Sequence, residues 1–402
     1  MDDPGPLPLD DLRILDLTHF YNGPYATMLL SYLGAEVIKI EAPGTGDNGR
    51  AVLRHPGQPV GFPFALLNSN KRSITLNLKS AEGRDLFKQM VPKADLVVEN
   101  FSAGTMDRMG LGFDVLRELN PRLIYATSTG YGLTGPKRDL TAFDPVVQAM
   151  AGVMALTGDP DGPPMKAGPA VVDILGGIHF CAGILAAVRQ RDRTGAGLMV
   201  ELCLYESTVP TLTSQIGARY GRGVEQLREG NRATGGLIVP YNAYPASDGW
   251  VMMLLHDQLR WRRLCTLLGQ PELAGDPRFA TDEARIANHA PLDCIIAGWT
   301  RNRTRQQVMD EFAANDIFCG MVQELPEVMT DPHLHQRGML REIEHPQLGP
   351  MTIFTSPIRL NGAAPQPKSY SPALGADNDD FYLKELGLDS NQIAALHERK
   401  VI

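Results

Sequence analysis

Short apolar runs alternate with amphipathic segments through the first half of the chain, and this alternation restricts the fold more than any other feature. "LRILDLT" (12–18), "EVIKIEAP" (36–43), "SITLNLK" (73–79), "DLVVENF" (95–101) and "RLIYATSTGYG" (122–132) read as strands. Between them "GPYATMLLSYLG", "SAEGRDLFKQMV" and "DVLRELN" read as helices. Strand-helix repetition of this kind predicts an α/β fold, a parallel sheet with helices on both faces. Ligands in that architecture bind beyond the carboxyl ends of the strands. The segments to search are therefore Thr18-His19, Glu41-Ala42, Glu99-Asn100 and Gly130-Tyr131.

Two longer helical patterns follow, Phe143 to Gly158 and Ile174 to Arg191, and the texture changes after about Ile216. "ARYGRGVEQLREGNRATGG" is charged and glycine-rich, which suits an exposed linker. Residues 225–325 read as a smaller α/β unit, "GPMTIFTSPIRLNG" returns to strands, and "YLKELGLDSNQIAALHERK" is helical. A chain of 402 residues exceeds the size at which single cores stop growing. The expected organisation is a large domain from residues 1–215 with 330–402, a linker at 216–224 and a small domain at 225–325.

Composition sets limits on function. A net charge of -8 argues against nucleic-acid or anionic-membrane partners, while leaving room for a local basic pocket. The five cysteines are scattered, without C-x-x-C spacing, as expected of reduced thiols. "MDDPGPLPLDDLRILDL" has neither the basic nor the apolar region of a signal peptide, and the apolar stretches read as too short or too interrupted to span a membrane. The expectation is a cytoplasmic protein with no membrane partner.

Several motifs carry two readings each. "GTGDNG" (44–49) matches G-x-G-x-x-G but follows the second strand and runs into a loop, so it suits a phosphate-side loop better than a nicotinamide fingerprint. Lys71, Arg72, Lys79 and Arg108 are either solvated surface or phosphate ligands around the expected crevice. The nine histidines show no metal-ligand spacing, and no metal is expected.

"KAGPAVVDILGG" (166–177) sets one carboxylate, Asp173, among apolar and glycine neighbours. Such a group is paired, hydrogen-bonded or used. Asp173 is either the N-cap of a helix starting at Ile174 or a nucleophile that the helix N-terminus keeps ionised.

Long blocks in order, "LDLTHFYNGPYATMLLSYLGAEVIKIE", "NSNKRSITLNLKSAEGRDLF", "ADLVVENFSAGTMDRMGLGFDVLRELNPRLIYATSTGYG", "DGPPMKAGPAVVDILGGIHFCAGILAAV" and "SPIRLNG", resemble the class III coenzyme A transferases. The resemblance implies a Rossmann-like large domain whose parallel sheet is formed from both termini, a smaller α/β domain, and an interlocked homodimer. It implies that Asp173 is the catalytic aspartate, forming covalent acyl intermediates. It places coenzyme A along Tyr21, Asn22, the strand Leu76-Asn77-Leu78-Lys79, Asn100, Phe101, Ser102, Arg108 and the segment Thr141, Ala142, Phe143, Asp144, and Arg72, read above as a candidate phosphate ligand, stands beside them as a cofactor contact. Ala42 stands where formyl-CoA:oxalate transferases have an arginine, and "RATGGL" replaces their four-glycine run.

The implied reaction moves coenzyme A from an acyl-CoA to a small carboxylic acid, with no permanently bound cofactor. Backbone N–H groups near Gly176 and Gly177, or a small-domain loop, are the candidate oxyanion donors. Two other functions compete. An α-methylacyl-CoA racemase needs a histidine where this chain has Phe143, which moves no proton. A coenzyme A-binding protein without turnover is the other.

Overall fold

The computed structural model describes residues 6–223 and 228–402. Six parallel strands, β1 (Arg13–Asp16), β2 (Glu36–Glu41), β3 (Lys71–Thr75), β4 (Leu96–Glu99), β5 (Ile124–Thr129) and β6 (Met199–Cys203), lie in the order β3-β2-β1-β4-β5-β6. Ile14 pairs with Val37 on one side and Leu96 on the other. Successive residues point to opposite faces, so Ile14, Val37, Leu96 and Val98 enter one core, while Leu15, Ile38 and Val97 enter the other.

Helices cover both cores. On the first face lie α1 (Asn22–Tyr32) and a 24-residue helix, Val171–Thr194, through Ala26, Leu30, Phe180 and Ile184. On the second lie α2 (Ala81–Met90) and α3 (Phe113–Leu119), through Phe87 and Leu116. One further helix on the way to the site is α4 (Asp144–Met150), and the 24-residue helix is α5 (Val171–Thr194). Among the described residues α5 alone is long and apolar enough to suit a membrane span, contrary to the sequence reading. Its Phe180, Cys181, Ile184 and Ala187 are buried in the first core.

By contact density the chain divides into two compact units. One runs over Met1–Ala151, Gly168–Pro210 and Met329–Ile402, the other over Gly152–Ala167 and Thr211–Val328. In the second, β7 (Tyr241–Ala246), β8 (Gly249–Leu254) and β9 (Phe318–Met321) form an antiparallel sheet. It packs on α6 (Gln258–Leu267), α7 (His289–Thr300) and α8 (Arg305–Ala314) through Trp261, Ile296 and Phe312. The expected linker at 216–224 is helical for most of its described length, within Thr213–Arg222. Residues 224 and 225, where the linker and small domain were expected to meet, lie outside the described residues.

Three expectations are corrected. All six strands of the parallel sheet come from the first 203 residues. The C-terminal segment instead adds an antiparallel pair, β10 (Leu340–His345) with β11 (Gly349–Phe354). It also adds α9 (Asn378–Lys384) and α10 (Ser390–Glu398), which bury Phe381, Tyr382, Ile393 and Leu396 in the second core. Leu76–Lys79 is not strand: β3 ends at Thr75, and Asn77 donates its N–H to the Val401 carbonyl at 2.8 Å. The third is β6, absent from the sequence reading.

Candidate active site

Strand order reverses between β1 and β4, which opens a crevice at their carboxyl ends. The two loops there are tied: Asn100 accepts from the His19 N–H at 2.8 Å and donates to its carbonyl at 2.9 Å. Beyond them lies a cleft of about 430 Å³. The structure brings Tyr21, Asn22, Asn100, Phe101, Ser102, Arg108, Thr141, Ala142, Phe143 and Asp173 together in its lining. A second cavity, of about 940 Å³, takes Leu76, Asn77, Leu78 and Lys79 with the glycine-rich turn Gly44–Gly46. His19 and Phe101 line both.

Asp173 is not an N-cap. Helix α5 begins at Val171, its N-cap is Ala170, and Asp173 is in the first turn. The cap comes from elsewhere in the chain: the buried Asp144 accepts the N–H of Val172 at 2.8 Å and of Asp173 at 3.1 Å on Oδ2. Its Oδ1 accepts from Gln148 at 2.5 Å. Asp144, expected among the coenzyme A contacts, therefore spends its carboxylate on helix α5. Among the described residues no hydrogen bond reaches the Asp173 carboxylate. Burial first and the Asp144 charge second push its pKa up to about 7. The helix N-terminus does not lower the Asp173 pKa: burial, and the Asp144 carboxylate already on the free N–H groups, raise it.

The close approach of α5 to α1 explains the two glycines. A Cβ on Gly176 would lie 2.4 Å from Leu204 Cδ2 and 2.6 Å from Asn22 Nδ2, and one on Gly177 2.8 Å from the Asn22 carbonyl oxygen. Asn22 is held in turn, donating to the Asp173 carbonyl at 3.3 Å and accepting from Ser128 Oγ at 2.6 Å. Gly176 and Gly177 are buried inside the helix, where backbone N–H groups serve carbonyls one turn back. They are packing residues and not the oxyanion donors expected.

The basic residues separate. Arg72 lies outside both cavities, paired with Glu36 at 2.8 Å, Asp377 at 3.6 Å and Asp380 at 3.3 Å. Lys71 is fully buried against Asp16 at 3.0 Å, and burial lowers its pKa to about 8. Lys79 and Arg108 do reach the cavities. Arg138 lines the cleft with Arg108, and no motif around it in the sequence marks it. The side chain of His19 joins the cleft too, and its position just after β1 is the signal that marks it. Among the described residues no three His, Cys, Asp or Glu side chains gather as metal ligands would.

The sequence matches the model of CoA-transferase family III over residues 9–378. The chain belongs to that family. It is 38% identical to the succinyl-CoA–D-citramalate CoA-transferase of Chloroflexus aurantiacus, over 99% of this chain and 98% of the relative. It is 36% identical to the formyl-CoA:oxalate CoA-transferase of Streptomyces avermitilis, over 98% and 99%. The crystal structure of a CAIB/BAIF family protein from Brucella suis aligns with a TM-score of 0.84 at 34% identity, covering 96% of this chain and 100% of that one. This family III transferase is therefore an enzyme, and acyl-CoA is its class of substrate.

Proposed function

We propose that the transferase moves coenzyme A between two carboxylic acids through acyl intermediates on Asp173. The carrying observation is a carboxylate in a cleft with no hydrogen-bond partner among the described residues and a pKa pushed up to about 7. A more basic carboxylate is the better nucleophile once ionised. Asp173 attacks the donor thioester: a C–O bond forms, the C–S bond breaks, and the sulfur leaves with the electron pair as coenzyme A thiolate. The thiolate then attacks the aspartyl carbonyl, giving an aspartyl thioester and releasing the donor acid. The acceptor carboxylate displaces the thiolate to form a second anhydride, and the thiolate attacks the acceptor's carbonyl. That last step frees Asp173 and the new acyl-CoA.

The cavities support this reading. Asp173 requires the thioester in the smaller cleft, which leaves the larger cavity, with Lys79 and the glycine-rich turn, for the nucleotide. Bound coenzyme A then keeps its thiolate beside the anhydride at high effective concentration. Phe143 lines the cleft and packs edge-on to Phe20 at 5.9 Å, so the position where a racemase would place its histidine holds no proton-transferring group. The relatives' names pair succinyl- or formyl-CoA with citramalate or oxalate, so small dicarboxylic acids are the acceptors we assign first.

We also infer a homodimer, interlocked as the resemblance implies. Exposed Val171 and Ile178 on α5, with exposed Met199, Val209 and Ile216, support self-association. Cytoplasmic location, the absence of nucleic-acid and membrane partners, and the absence of a permanently bound cofactor complete the proposal. Asp173→Ala tests the reaction: thioester exchange between acyl-CoA and carboxylates should fall by about 10³-fold or more while coenzyme A still binds. Exchange within tenfold of wild type would end the assignment.

A further inference from the structure

His19 and Phe101 are common to the two cavities, their rings tilted with centroids 5.5 Å apart. A ligand with its thioester at Asp173 and its nucleotide in the larger cavity must pass them. In acyl-CoA the stretch between the pantetheine arm and the adenosine is the diphosphate. His19 is the group that meets it.

The surroundings of His19 are built for one orientation. Its backbone is fixed on both sides by Asn100, and the Thr18 carbonyl before it accepts from the buried Lys39 at 2.7 Å. Behind the ring, Nδ1 lies 3.3 Å from Oδ1 of the fully buried Asp47. Burial opposes a charge on Asp47, but Lys39 at 2.9 Å, His19 and the Gly49 N–H outweigh it and hold the carboxyl well below the usual range. The same Oδ1 accepts from Phe20 N–H at 3.1 Å, and Phe20 is held at φ 63°, in the left-handed region that costs a non-glycine residue energy. With Nδ1 on the Asp47 side of the ring and in no hydrogen bond among the described residues, Nε2 lies on the side away from Asp47. Among the described residues nothing hydrogen-bonds to Nε2.

We propose that His19 is the diphosphate contact of bound coenzyme A, its Nδ1 facing Asp47 and its Nε2 hydrogen-bonding a phosphate oxygen. The proposal rests on the coenzyme A reading above. Hydrogen bonds to phosphate oxygens are charge-assisted, short and strong.

Isothermal titration of wild type and His19→Gln with coenzyme A, ADP and pantetheine tests it. The variant should bind coenzyme A and ADP about tenfold more weakly, near 1.4 kcal/mol, and pantetheine, which lacks the diphosphate, as wild type does. Equal weakening for pantetheine places His19 at the reacting end and overturns the proposal, as does undiminished affinity for coenzyme A. A wild-type chain that binds none of the three overturns the coenzyme A reading and this one with it. Should the variant misfold, carbethoxylation of His19 in the native protein, mapped by mass spectrometry, reads the same contact. Coenzyme A and ADP should protect it and pantetheine should not; protection by pantetheine, or none by coenzyme A, contradicts the assignment.

Discussion

Asp173 holds its proton more tightly than the ordinary aspartate with its pKa near 3.9, and the reason is two neighbours' worth of chemistry: burial, and the Asp144 carboxylate that took the helix N–H groups first. The nucleophile is the ionised form, so activity should rise with pH through about 7 as Asp173 loses its proton. Asp144→Asn keeps an acceptor for the two N–H groups but removes the charge. Its pH profile of kcat/KM should have an acid limb shifted toward lower pH, because less repulsion opposes ionisation. An unmoved limb would show that Asp144 serves only as a cap. The sequence pointed to Asp173 and to Asp144 separately; nothing in it showed that a carboxylate 29 positions upstream would cap the helix carrying the nucleophile.

At the scale of elements, the site depends on α1 and α5 touching. Gly177→Ala would drive a Cβ to 2.8 Å from the Asn22 carbonyl oxygen and 3.0 Å from the Tyr25 ring. Backbone cannot yield as a side-chain end does, so thermal unfolding should register a loss of about 1–3 kcal/mol, accompanied by reduced turnover as Asn22 shifts. A melting temperature equal to wild type would mean the helices have slack. Most of the scaffold around this contact was legible: β1, β2, β4 and β5 are apolar because both faces of a parallel sheet are buried. Strand β6 was not, since it is an edge with Met199 and Glu201 exposed, and Glu201 takes the Leu133 N–H at 2.6 Å. Leu76–Lys79 alternates like a strand but leaves the sheet to meet the C-terminus. Arg72 looked like a phosphate ligand because its partner Asp380 lies 308 residues away.

For the whole molecule, one apolar surface stands out. Ile178 is 47% exposed on α5, whose Phe180, Cys181, Ile184 and Ala187 face the first core. Isolated apolar residues need no explanation, but a helical stripe of them does. Ile178→Glu should turn a dimer into a folded monomer in sedimentation velocity, with an unchanged circular dichroism spectrum; a wild-type protein that already sediments as a monomer would remove the dimer from the account. The rest turns on covalent chemistry at a single carboxylate. Incubating the enzyme with acyl-CoA, quenching in acid and mapping peptides by mass spectrometry tests it most directly. The account predicts a coenzyme A or acyl mass added on the peptide containing Asp173 and at that residue. Exchange activity with no adduct there, or with the adduct on a different side chain, would contradict it.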